Sequence, residues 1–120
     1  MRGSKSGRPI MALLDLLGRR PTLRILWELR GGPLTFRALV AAADTNPGSL
    51  NRRLAELNEA GVVAAGPQGY AMTAEGRALF GLLAPLWDWA EAWASRVADQ
   101  ERPESSRRLK RGSAGPSIGG

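Results

Sequence analysis

Apolar positions along the chain fall into stretches of helical spacing separated by short breaks. Ile10, Leu13, Leu14, Leu16 and Leu17 form the first stretch, which Gly18 stops. Pro21 suits the first turn of a second helix, whose apolar face is Leu23, Ile25, Leu26, Trp27 and Leu29 and whose end is Gly31-Gly32-Pro33. Its polar surface carries Arg20, Arg24 and Arg30, either as a solvated basic face or as a contact for a polyanion backbone. Leu34 and Thr35 predict a short extended piece, with Thr35 capping a third helix that turns Phe36, Leu39 and Val40 inward. Asn46-Pro47 is another start signal, a cap side chain followed by proline at the first helical position. In that fourth helix Leu50, Leu54 and Leu57 make one buried stripe and leave Ser49, Asn51, Arg52, Arg53 and Glu56 wholly or partly outside the core.

The spacing then changes. Gly61 ends the fourth helix, and Val62-Val63 starts a strand that pairs back with Tyr70-Ala71-Met72 around Gly66-Pro67-Gln68-Gly69. Thr73 caps a last helix, with Glu75 beside its positive end, running to about Ala98; Gly76, Gly81 and Pro85 are the places where it can bend or break. The organisation expected is a flexible basic arm over residues 1–9, a helical core with a hairpin over 10–73, a long helix of the same domain over 74–98, and a polar, disordered tail over 99–120. An apolar part of that size buries a limited fraction of its surface and is often stabilised by association.

Composition narrows the chemistry. The chain has no cysteine and no histidine. That excludes disulfides, thiolate or imidazole metal sites, a cysteine redox switch and an imidazole base, so neither a metal, a cofactor nor an enzyme is expected. The formal charge is +6, and its distribution is uneven: residues 1–37 carry eight basic and two acidic side chains, residues 38–98 four and six, and residues 99–120 five and three. An excess at the amino end favours a polyanionic partner. No continuous apolar run follows the basic start, so neither a signal peptide nor a membrane span is read and the cytoplasm is the expected location.

The element order is helix, helix, short helix, tight turn, helix, hairpin, long helix. This is a mainly α arrangement with a small β-hairpin, that of a winged helix-turn-helix, in which the helix starting near Pro47 enters a major groove and the hairpin lies beside the minor groove. Ser49, Asn51, Arg52 and Arg53 around its leading turns, with Arg37 on the helix before and Gln68 at the hairpin tip, are the candidate DNA contacts. Arginine binds guanine edges or clamps phosphate, and asparagine reads adenine. Each has a plainer alternative. Arg53, next to Leu54, lays its aliphatic stem across the core edge equally well, and Ser49 and Asn51 are also ordinary exposed positions.

Four segments in order carry a resemblance: LLGRRPTLRILWEL at 16–29, GPLTFRAL at 32–39, NPGSLNRRLAELNEAGVV at 46–63 and YAMTAEGRAL at 70–79. Together they resemble the HxlR-type branch of winged-helix regulators, related to the MarR and ArsR families, over about residues 10–98. The resemblance implies a homodimer binding double-stranded DNA at an inverted or near-palindromic operator, usually as a repressor. Leu50, Arg53, Leu54 and Leu57 fall on its reading-helix pattern, and Ser49, Asn51 and Arg52 are the reading-side candidates. Two departures matter. The family often has a sensing cysteine ahead of the first helix, and this chain has none; its wing usually carries polar or basic residues, and residues 62–72 carry no charge, leaving backbone groups or Gln68 for any wing contact.

The last helix is apolar around much of its perimeter. Leu79, Leu82, Leu83, Leu86, Ala90, Trp93 and Val97 form a stripe that Phe80, Trp87 and Trp89 widen. A second copy of the chain is the expected cover, with Leu79, Leu83, Leu86, Trp89, Ala90, Trp93 and Val97 at the seam. Two reading helices related by a dyad would then meet half-sites about 34 Å apart. Alternatively Trp27, Trp87, Trp89 and Trp93 line a cavity for a small aromatic or apolar effector, although aromatics at helical spacing are ordinarily core or interface. The competing function is a winged-helix adaptor that binds protein partners and has no specific DNA affinity.

Overall fold

A computed structural model describes residues 8–101. In chain order these form α1 (Pro9–Leu17), α2 (Thr22–Glu28) with a 3-10 turn at Leu29–Gly31, α3 (Phe36–Ala42), α4 (Pro47–Glu59), β1 (Val63–Gly66), β2 (Gly69–Met72) and α5 (Ala74–Glu101). This is the winged helix-turn-helix class, mostly helical with a two-stranded antiparallel hairpin as its wing. The chain divides into two compact units, one up to Leu82 and one from Leu83 onward, and the division lies within α5. That helix continues through Gly76, Gly81 and Pro85 and ends at Glu101, three residues past Ala98. The basic arm as far as Gly7 and the tail from Arg102 lie outside the described residues.

Local chemistry explains where the helices start. At α3 the Thr35 hydroxyl accepts the Ala38 N–H at 3.1 Å; at α4 the Asn46 side-chain oxygen accepts the Ser49 N–H at 2.8 Å; at α5 the Thr73 hydroxyl accepts the Gly76 N–H at 3.0 Å. Each satisfies one of the amide groups that a first helical turn leaves without a partner. Pro21 is the residue before α2 rather than inside its first turn. The stops of α3 and α4 share one geometry. After α4, Gly61 takes a left-handed φ of 77°, its N–H reaches the Asn58 carbonyl at 3.0 Å, and the Val62 N–H reaches Leu57 at 2.9 Å. After α3 the same positions are held by Asp44, at φ 53°, and Thr45, whose N–H reaches Val40 at 3.3 Å.

The core of the first unit lies between α2, α3, α4 and the base of the wing. Ile25, Leu26, Leu29, Leu39, Leu50, Leu57 and Val63 are fully buried there, each apolar side chain removed from water stabilising the fold by about 1.5–3 kcal/mol. The wing pairs Val63 with Met72 and Gly66 with Gly69 across the two-residue connection Pro67-Gln68. A third segment joins it: Leu34 and Tyr70 exchange backbone hydrogen bonds of 3.0 and 2.8 Å, and the Phe36 and Tyr70 rings sit 6.5 Å apart. At its base the Thr73 hydroxyl donates to the Gly61 carbonyl at 2.6 Å and the Thr73 N–H to Val62 at 3.0 Å. One residue therefore ends the wing, caps α5 and ties both to the end of α4.

Candidate nucleic-acid interface

α4 buries Leu50, Leu54 and Leu57 and turns its other side outward. On that side Asn51 and Arg52 are exposed, and Ser49 is half-buried at the helix start. Pro47 and the Asn46 cap hold the first turn, so these side chains stand on a rigid support. Arg37, on α3, and Gln68, in the wing connection, are also exposed. The residues available for reading a groove are thus hydrogen-bonding groups and a guanidinium on the leading half of α4, with a second cation on the preceding helix.

Arg53 is placed differently. Its side chain is only 13% exposed; its Nε lies 3.0 Å from one Glu56 carboxylate oxygen, a terminal nitrogen donates to the other at 3.0 Å, and the remaining one donates to the Arg20 carbonyl at 3.3 Å. The Nε contact is an ion pair whose angle is too bent for a hydrogen bond, and the two terminal nitrogens carry the directional bonding. Of the two sequence readings of this residue, the geometry follows the one in which it lies along the core edge. Arg53 fastens α4 to the turn between α1 and α2, and Arg19 joins the same carboxylate at 3.7 Å. Neither Arg19 nor the anchoring part of Glu56 is legible in the sequence as part of this site, because a pair separated by 37 positions leaves no periodic trace.

The basic residues of α2 divide as well. Arg24 bonds Glu28 at 2.7 Å, and Arg30 lies 3.8 Å over the Trp27 ring while donating to the Trp27 carbonyl at 2.8 Å. Trp27 also meets Phe80 at 6.2 Å, so an aromatic guest on the same face would displace Arg30. Trp27 belongs to the first unit, whereas Trp87, Trp89 and Trp93 belong to the second.

In the second unit Leu86 is 56% exposed, and Trp89 and Trp93 are exposed with their rings stacked 5.7 Å apart. Ala90 and Val97 are half-buried, as is Leu79 earlier on α5. Leu83 departs from its expected place at a seam: at 7% exposure it is covered within a single chain. A further apolar surface that the sequence reading counted as inward-facing is on α1, where Ile10, Met11 and Leu14 are exposed in the single chain. Among the described residues no cluster of acidic side chains could hold a metal ion, and no helix is long and apolar enough to cross a membrane.

Comparison with known proteins agrees with this geometry. The model of the HxlR-like helix-turn-helix family matches residues 16–98. No curated protein matches the chain. Among solved structures, quinone-bound YodB of B. subtilis is similar at 26% identity and a TM-score of 0.65, over 69% of this chain and 96% of that one. A MarR family protein of Mycobacterium tuberculosis is similar at 30% identity and a TM-score of 0.59, over 86% and 78%. Reduced HlyU from Vibrio cholerae shares the fold, at 24% identity and a TM-score of 0.55 over 65% and 87%. With four helices, a wing and an outward-facing polar side of α4 in the arrangement of these regulators, the chain belongs to the HxlR-like helix-turn-helix family and is a DNA-binding transcription regulator, not an enzyme.

Proposed function

We propose that the protein acts as a homodimeric repressor at a palindromic operator, with α4 of each copy in the major groove. The observation that carries this reading is the two-sidedness of α4: three leucines hold it in the core while Asn51 and Arg52 stand exposed on its leading half. A major groove about 12 Å wide admits one helix, and these side-chain types match the edges of adenine and guanine. Ser49 and Arg37 add contacts at the groove rim, Gln68 is the polar side chain of an uncharged wing, and Arg53 contributes by holding α4 in place. Exposed Leu86, Trp89 and Trp93 support a second copy as the cover of α5, joined by Leu79, Ala90 and Val97, because an apolar strip of this kind is costly to leave in water. A small aromatic or apolar effector relieves repression in this reading. The quinone bound to YodB supports that ligand class, and without cysteine it is held here non-covalently, against Trp89 and Trp93 with Trp27 and Trp87 as further candidates. It acts by favouring one spacing of the two reading helices.

The test is selection of a duplex from a random library by the purified full chain, followed by titration of the best site and of a scrambled one. The expected result is a palindrome with half-sites about 34 Å apart, bound by two protomers. Arg52→Ala is expected to reduce preference for the site by roughly 5- to 150-fold, the range of one bidentate base contact. Binding that is blind to sequence, or an Arg52→Ala variant with full preference, overturns the assignment.

A further inference from the structure

The wing is uncharged over residues 62–72, so the electrostatic hold that duplex binding requires has to come from elsewhere on the first unit. One place on the structure is built for it. Where the turn between α1 and α2 meets α4, the single carboxylate of Glu56 faces two guanidinium groups, Arg53 at 3.0 Å and Arg19 at 3.7 Å. Arg20 extends from the same turn, its carbonyl bonded by Arg53 and its own side chain exposed with no partner among the described residues. Three cations thus share one anion. The other arginines of α2 are engaged, Arg24 by Glu28 and Arg30 by Trp27, which leaves the net positive charge concentrated at this turn.

We propose that Arg19 and Arg20 form a seat for the phosphate backbone of duplex DNA, beside the groove that α4 reads; the inference rests on the DNA-binding reading above. The geometry carries it in two steps. Arg53 and Glu56 lie in the middle of the 13-residue α4 and lock the α1–α2 turn to its flank. A helix 10–12 Å across fills a groove about 12 Å wide, so a group fastened to its flank stands at the phosphate ridge. The Arg19 side chain is 54% exposed and its pairing with Glu56 is long, and an exposed pair of this kind contributes little stability. Arg19 therefore exchanges that carboxylate for a phosphate without disturbing the fold, while the shorter Arg53–Glu56 pair keeps the turn in place. Glu56 and Arg53 are positioning residues; Arg19 and Arg20 touch the ligand.

The experiment compares the full chain with the Arg19→Ala/Arg20→Ala double variant, measuring affinity for the selected site and for a scrambled duplex across a salt series. Each phosphate contact contributes about 0.9 to the slope of log affinity against log salt concentration. The double variant is expected to flatten that slope by roughly 1.8. It should weaken both duplexes by the same factor and leave their ratio as in the wild type. The Arg19→Lys/Arg20→Lys variant, which retains the charge, should restore the slope, separating loss of a contact from loss of fold. An unchanged slope in the alanine variant overturns the seat, as does a loss confined to the selected site. Absence of salt-dependent duplex binding by the wild type overturns the DNA-binding reading itself, and is distinguishable because it precedes any comparison of variants.

Discussion

Replacing Gly76 by alanine should destabilise the protein, although the same change in most helices stabilises it. Gly76 lies in the first turn of α5, and a Cβ there would fall well inside van der Waals contact of the Val62 carbonyl oxygen, 3.1 Å from the carbonyl carbon and 3.2 Å from the Met72 Cβ. The obstacle is backbone, so no rotamer change relieves it. That carbonyl also accepts the Thr73 N–H at 3.0 Å and the Thr73 hydroxyl at 3.2 Å, and pushing it away strains both bonds, each with a net contribution of about 1 kcal/mol. Overpacking typically adds about 1–3 kcal/mol. Against this stands a gain of about 1 kcal/mol from replacing glycine inside a helix. The clash wins, and Gly76→Ala is expected to lose on the order of 2–4 kcal/mol from these contributions. Gly81→Ala is the matched control: nothing lies within 4 Å of its Cβ position, so it should gain about 0.5–1 kcal/mol. Thermal melts by circular dichroism at one protomer concentration should show Gly76→Ala lower by more than about 10 °C and Gly81→Ala higher by a few degrees. If both variants melt at or above the wild type, the welding of the wing base to α5 is not what the geometry indicates.

Two further outcomes follow from the same structure. Thr73→Val keeps the shape but removes the hydroxyl that accepts the Gly76 N–H and donates to the Gly61 carbonyl; urea denaturation should show a loss of about 1–3 kcal/mol with an unchanged m-value, and a midpoint equal to the wild type would refute the capping role. Leu86→Asp introduces a charge at a position exposed in the single chain. It should leave the helical content intact while weakening self-association by at least about tenfold in sedimentation equilibrium, since an unpaired carboxylate is costly to bury in an interface; unaltered association would remove Leu86 from the seam.

What the sequence by itself determined is what neighbours along the chain decide among themselves. Thr35, Asn46 and Thr73 each bond an amide three residues ahead, so a cap is recognisable wherever such a residue precedes an apolar stripe. Leu50, Leu54 and Leu57 bury themselves because 3.6 residues make a turn, and Asn51 and Arg52 are outward for the same reason. The hairpin follows from two extended runs around Pro67-Gln68, and the order of these elements carries the fold class. Local signals also have limits: the stop after α4 is announced by Gly61, while the equivalent stop after α3 uses Asp44, an aspartate that the left-handed region admits but that a reader of glycines passes over.

Tertiary structure decided the matters in which distant segments meet. Leu34 reaches Tyr70 across 36 positions, Arg53 reaches Arg20 across 33, and Arg19 reaches Glu56 across 37. Two side chains of one type received opposite roles in this way: Arg52 stays in solvent and Arg53, its neighbour, is spent on Glu56 and the Arg20 carbonyl. Leu83 and Leu86 likewise share a stripe in the sequence, yet one is covered within the chain and the other is exposed. Helical periodicity states which face a residue occupies, but not what the returning chain places against that face, because that depends on closing the loops between segments and packing the core as a whole.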